Sequence, residues 1–210
     1  MLTITLIIAN VIFSLLGFYN RDWTNKNIMW PYRVKREGQF YRFISSGFLH
    51  ADFMHLFFNM FTLYYFGNNI EIIFDFYGLG GTFAYSLLYF SALVFSDLPS
   101  YFKHVNDPGY RSLGASGAVS AVVFASVIFG PWQAVYLYGA LKISFLIFAI
   151  LYIYYCIYMG KKGFDNVNHD AHLWGALFGF VYAILLVSLF NRGLWPAILE
   201  EFRHPSLWGR

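Results

Sequence analysis

Long apolar runs constrain this chain more than anything else in it. Stretches suited to crossing about 30 Å of hydrocarbon can be marked at 2–19, 52–66, 78–95, 116–129, 134–159 and 170–189. Within lipid, each backbone N–H and C=O must find its partner inside the protein, so such runs fold as helices. Hydrophobic residues make up 59% of the 210 and charged residues only 12%, against roughly 25% charged in a soluble domain. The expected fold is therefore all-α: a polytopic membrane protein, one domain over 1–210, with six transmembrane helices in a bundle and no appended soluble domain.

The first run has no basic stretch before it and no small-residue cleavage site after it, so it reads as a span rather than a removed signal peptide. The single cysteine, Cys156, excludes an internal disulfide and reads as a small core or lipid-facing residue. A net charge of +3, spread over loops, gives no footprint for nucleic acid. The connections fall at 20–51, 67–77, 96–115, 130–133 and 160–169, and the more elaborate ones share a face. Chemistry is expected on that face.

Spans two, four and six run in the same direction, so their N-terminal ends meet there. Asp52 can cap the second, Ser116 opens the fourth, and Asn168 or Asp170 can cap the sixth. His55 and Asn59, four apart, lie on one stripe of a helix. Polar side chains at this depth must face protein or a water-filled cavity. Gly117, Ala121 and Ala125 on the fourth run, and Gly175 and Gly179 on the sixth, are the small residues that let membrane helices pack closely. His172 lies on that contact face and Ser116 adjoins Gly117, so the packing brings a hydroxyl and an imidazole together.

A serine becomes nucleophilic when an imidazole accepts its proton. Asp170 points elsewhere on its helix, so the expectation is a dyad of Ser116 and His172 rather than a triad. The Ser116 backbone N–H, the Asn59 amide and the His55 ring are candidate donors to an oxyanion. His169 and His172, with His50 and His55, invite a metal reading because His-x-x-His can chelate, but a metalloprotease would need His-Glu-x-x-His, which the chain lacks, so neither metal nor cofactor is expected. His169 and His104 read as surface or cap residues, His204 as part of the tail. Lys142 reads as snorkelling from the fifth span, and Lys161, Lys162 and Gly163 as a flexible connection over the site.

At these residues the chain resembles the rhomboid family of intramembrane serine proteases, over 41–189. His50, His55 and Asn59 match the family's second-helix pattern. Gly114-x-Ser116-Gly117 matches its nucleophile motif, and Ala171-His172-x-x-Gly175-x-x-x-Gly179 its sixth helix. The resemblance implies Ser116 as nucleophile, His172 as general base, His55 and Asn59 as oxyanion stabilisers, and His50 as structural. Arg42 falls where the family's first loop carries Trp-Arg, with Tyr41 in place of the tryptophan; Gly67 and Glu71 resemble the far end of its second helix. Two departures stand out. Ser120 occupies a position that is often a tyrosine packed on the catalytic imidazole, and the first loop, from about 20 to 42, is short for the family's lateral hairpin.

The resemblance implies single-span membrane proteins as substrates, with small residues at the cut and helix-weakening residues nearby. The runner-up reading is an inactive relative that binds and escorts membrane helices; a channel or transporter is a third, for which broken helix pairs are lacking. Ten basic residues from Arg21 to Lys162 sit on the loop-rich face against Lys142, Arg192, Arg203 and Arg210 on the other. The positive-inside rule puts the loop-rich face in the cytoplasm, whereas most bacterial relatives place it outside. The family topology, in the inner or plasma membrane, is the expectation adopted.

Overall fold

The computed structural model describes residues 2–137, 141–163 and 167–210. Ten helices lie among them: α1 (Leu2–Tyr19), α2 (Arg21–Asn27), α3 (Pro31–Glu37), α4 (Arg42–Ser45), α5 (Phe53–Phe76), α6 (Gly81–His104), α7 (Ser116–Ser126), α8 (Phe145–Lys162), α9 (His169–Phe190) and α10 (Trp195–Arg203). Between α7 and α8, β1 (Ala134–Leu137) pairs antiparallel with β2 (Leu141–Ser144). The result is a mostly helical membrane fold. By length and composition, α1, α6, α8 and α9 are apolar enough to cross a bilayer. The helix α5 has 24 residues but carries Asn59, Asn68, Asn69, Glu71 and Asp75, and α7 is apolar but shorter.

The short helix is the axis of the molecule. Every residue of α7 from Gly117 to Ser126 is buried, and α5, α6 and α9 pack around it. A side chain at Gly175 would collide with the Gly117 carbonyl, and one at Gly179 with the Ala121 carbonyl. These backbones meet directly, as small-residue helix crossings allow. With the single 3₁₀ turn that follows at Val127–Phe129, α7 is roughly 20 Å long at 1.5 Å per residue, too short to span hydrocarbon of about 30 Å. That shortness leaves room for a bowl above its N-terminus.

Outer helices are tied in by polar contacts at their ends. Glu71 of α5 accepts from the backbone N–H of Leu2 at 3.0 Å and from the Thr3 hydroxyl at 3.2 Å, placing a carboxylate at the N-terminus of α1, where unpaired N–H groups and the helix dipole favour it. Thr82 of α6 donates to the same carboxylate at 3.0 Å. Lipid would otherwise leave those donors unsatisfied.

Four expectations are corrected. The run at 134–159 is not one helix: it begins with the β-ribbon, and α8 starts only at Phe145. Val135, Tyr136 and Ile143 suit a strand as well as a helix, and hydropathy alone does not separate the two. Lys142 is thus exposed on the ribbon, opposite Tyr136, rather than inside a span. The helices α5 and α6 continue to Phe76 and His104, well past their apolar runs, because polar residues lower hydropathy without stopping a helix. Finally, the first connection, expected as a short loop, is built of α2, α3 and α4. Residues 138–140 of the fifth run, 164–166 of the 160–169 connection, and Met1 lie outside the described residues.

Candidate active site

The bowl above α7 is a cavity of about 730 Å³ lined by His55, Asn59, Ser116 and His172, with apolar walls that include Phe58 of α5 and Phe148 of α8. Ser116 is the first residue of α7, so its own N–H is one of the groups a helix leaves without an internal partner. On α9, Asn168 caps the helix by accepting from the Ala171 N–H at 3.1 Å. Ser100 of α6 donates to the same Asn168 oxygen at 2.9 Å. The cap fixes where the first turn of α9 begins. From that turn, His172 Nε2 reaches the Ser116 hydroxyl at 2.7 Å.

The turn before the nucleophile is set by Gly114, whose φ of +130° is a conformation few other residues adopt. A Cβ there would also stand 2.9 Å from His55 Cε1 and 3.1 Å from His55 Nε2. Its N–H donates to the Ser46 carbonyl at 3.1 Å, and the Ser46 hydroxyl donates to the Arg42 carbonyl at 2.6 Å. Buried Arg42 in turn donates to the Asn25 and Ile28 carbonyls at 3.0 and 2.6 Å. Met29 and Ser112 exchange backbone hydrogen bonds of 3.0 and 3.1 Å. The first connection is therefore stitched to the residues leading into Ser116.

On α5, Asp52 caps the helix by accepting from the His55 N–H at 2.8 Å. His55 Nδ1 accepts from the Ala51 N–H at 3.4 Å; the neutral ring then carries its proton on Nε2, the nitrogen that faces Gly114. Asn59, nearly buried, donates one amide hydrogen to the His55 carbonyl at 2.9 Å and keeps a second donor beside the cavity. His50 lies behind this pair, its Nδ1 2.9 Å from the Ser14 hydroxyl of α1 and its ring 4.9 Å from that of His55. Burial, with the neighbouring His55 adding to it, pulls the His50 pKa down from 6.5 to about 3. His50 is a neutral strut between α1 and the start of α5.

Gly117 faces Ser96 of α6, and Gly175 and Gly179 are the crossing points with α7. The structure thus brings Ser116, His172, His55 and Asn59 around one cavity, with His50, Arg42 and the four glycines supporting them. One residue escaped the sequence reading, and a second was misplaced by it. Tyr152 of α8 lies near-parallel to the His172 ring, 19° between planes and 6.4 Å between centroids. Its hydroxyl is 2.8 Å from Ser120. A tyrosine does stand beside the imidazole, supplied by another helix. The vacancy at Ser120 was the available signal, but four tyrosines between 152 and 158 made the donor illegible. His169, expected at the surface or as a cap, is buried at 4% exposure, because Asn168 caps the helix and Tyr155 covers the ring at 5.5 Å.

The rhomboid domain matches residues 37–189. Among similar proteins, RHOMBOID-like protein 12, mitochondrial, of Arabidopsis thaliana is 29% identical over 182 residues, covering 81% of this chain and 54% of that protein. Putative rhomboid protease YdcA of Bacillus subtilis (strain 168) is 28% identical over 154 residues, covering 72% of this chain and 69% of the relative. Presenilin-associated rhomboid-like protein, mitochondrial, of Homo sapiens is 34% identical over 148 residues, 65% of this chain and 35% of that protein. The chain thus spans about half of the plant relative and a third of the human one. With the matched domain covering the helices that build the cavity, this chain belongs to the rhomboid family.

Proposed function

We propose that the protein is an intramembrane serine endopeptidase acting through Ser116 and His172. The observation that carries this reading is the 2.7 Å contact between His172 Nε2 and the Ser116 hydroxyl on the wall of a cavity that water can fill. The hydroxyl oxygen attacks the carbonyl carbon of a peptide bond as His172 takes its proton. The C–N bond then breaks, and His172 delivers that proton to the leaving nitrogen. Water, deprotonated by the same imidazole, attacks the acyl carbon; the acyl C–O bond breaks and His172 returns the proton to the Ser116 oxygen. The oxyanion accepts from His55 Nε2–H, from the second Asn59 amide hydrogen and from the Ser116 N–H; one such donor is worth about 100-fold to 1000-fold in rate.

All six apolar runs belong to the membrane domain in this reading, α5 and the shorter α7 joining the spans α1, α6, α8 and α9. The substrate is a transmembrane segment of another protein. A helix hides its carbonyls in internal hydrogen bonds, so the segment must unwind to reach Ser116. It approaches between α5 and α8, whose Phe58, Thr62 and Phe148 line the cavity. The plasma or inner membrane is the proposed location, with the cavity opening away from the cytoplasm.

The test is the purified protein in lipid vesicles with a fluorescent single-span substrate. Turnover lost in Ser116→Ala and His172→Ala is expected. Binding of the substrate by the parent without any turnover would contradict the protease reading and favour an escort role.

A further inference from the structure

Cys156 of α8 follows Tyr152 by one helical turn and lies on the same stripe, which turns it toward the N-terminal end of α9. His169 precedes His172 by one turn of that helix. One ligand atom each from Cys156, His169 and His172 lies within 4.8 Å of the other two. Cys156 and His169 are buried, at 1% and 4% exposure, and the rings of His169 and His172 stand 6.0 Å apart, nearly perpendicular. Among the described residues this is the one such cluster of three.

A thiolate with two imidazoles is the donor set of zinc and other borderline-soft divalent cations, and a poor one for magnesium or calcium. Bonds of about 2.0–2.3 Å around a tetrahedral ion separate ligand atoms by about 3.3–3.8 Å. The three groups must therefore close by about 1 Å, within reach of side-chain rotation. His172 also borders the cavity, so a fourth position is open to water.

We infer that Cys156, His169 and His172 form an inhibitory site for a zinc-like cation. Binding replaces the thiol proton of Cys156, which leaves to solvent, with the metal. If His172 binds through Nε2, the lone pair that faces Ser116 is occupied. If it binds through Nδ1, the neutral ring carries its proton on Nε2 and donates where it must accept. Either way the serine loses its base. This ion is not the activator of a metalloprotease; it silences a serine nucleophile. The inhibitory consequence rests on the role proposed for His172, whereas the binding itself does not.

The experiment uses the full-length protein, stripped with chelator, in detergent. Titration with Co²⁺ is expected to give a thiolate-to-cobalt charge-transfer band with tetrahedral ligand-field absorption, at one ion per chain, unchanged in Ser116→Ala. Cys156→Ser should lose the charge-transfer band, and His169→Gln should weaken binding at least about tenfold. Zn²⁺ should displace Co²⁺, stop cleavage by the parent and be reversed by chelator. Cys156→Ser should cleave at the parental rate while needing at least about tenfold more Zn²⁺. A cobalt spectrum without the thiolate band, or equal zinc sensitivity in Cys156→Ser, overturns the site. A parent that shows the band but cleaves nothing upholds the metal site and overturns only the protease reading.

Discussion

The imidazole of His172 is held from two sides, by Ser116 through a hydrogen bond and by Tyr152 through its ring. Because Tyr152 is itself anchored on Ser120, losing that anchor should cost what a hydrogen bond is worth: Tyr152→Phe is expected to lower kcat by about 2-fold to 10-fold. Tyr152→Ala removes the ring as well and should lower kcat further with little change in KM. Parental kcat in Tyr152→Ala would show that the ring does not position the base. His50 offers a separate measurement. Its folded pKa of about 3 lies below the ordinary 6.5, so the unfolded chain binds the proton more readily. The stability contributed by neutral His50 is fully present above pH 6.5 and is lost as pH falls toward 3, by at most about 1.4 kcal/mol per unit. His55 and Asp52 flank this ring with opposite effects. Detergent unfolding as a function of pH should show that slope, and His50→Asn should flatten it; an unchanged slope would contradict the assignment.

Pairs of elements decide how closely the reacting side chains approach. Gly175 and Gly179 press against the α7 backbone, and overpacking even an ordinary core site costs about 1–3 kcal/mol. Gly179→Val is therefore expected to lose at least that much stability, and activity with it, in thermal unfolding of the detergent-solubilised protein. Unaltered melting would mean that α7 and α9 do not need the contact. This crossing was legible in the sequence because four-residue spacing of small residues states both the face and the closeness. The caps were legible too, Asp52 outright and Asn168 as one of two candidates beside Asp170: each accepts from the N–H three residues on. The β-ribbon was not, since an apolar run containing Val135, Tyr136 and Ile143 satisfies a helix and a strand equally. Nor was the burial of His169, which depends on Tyr155 arriving from α8. Contacts between separate helices at irregular spacing leave no periodic trace.

The molecule as a whole sets longer helices around a short one, and that difference in length leaves the cavity that Ser116 lines. Loop residues tie the first connection to the third: Arg111 lies over the Trp30 ring at 4.0 Å from its centroid, and Arg33 of the first connection approaches the same ring at 4.4 Å. The decisive measurement is a double-mutant cycle on kcat/KM for a single-span substrate in vesicles, using Ser116→Ala, His172→Ala and both together. Two groups acting as one unit should each cost at least about 1000-fold when removed, with the double variant no slower than either single one. Substantial turnover in either single variant, or losses that multiply in the double, would contradict a shared hydroxyl–imidazole mechanism.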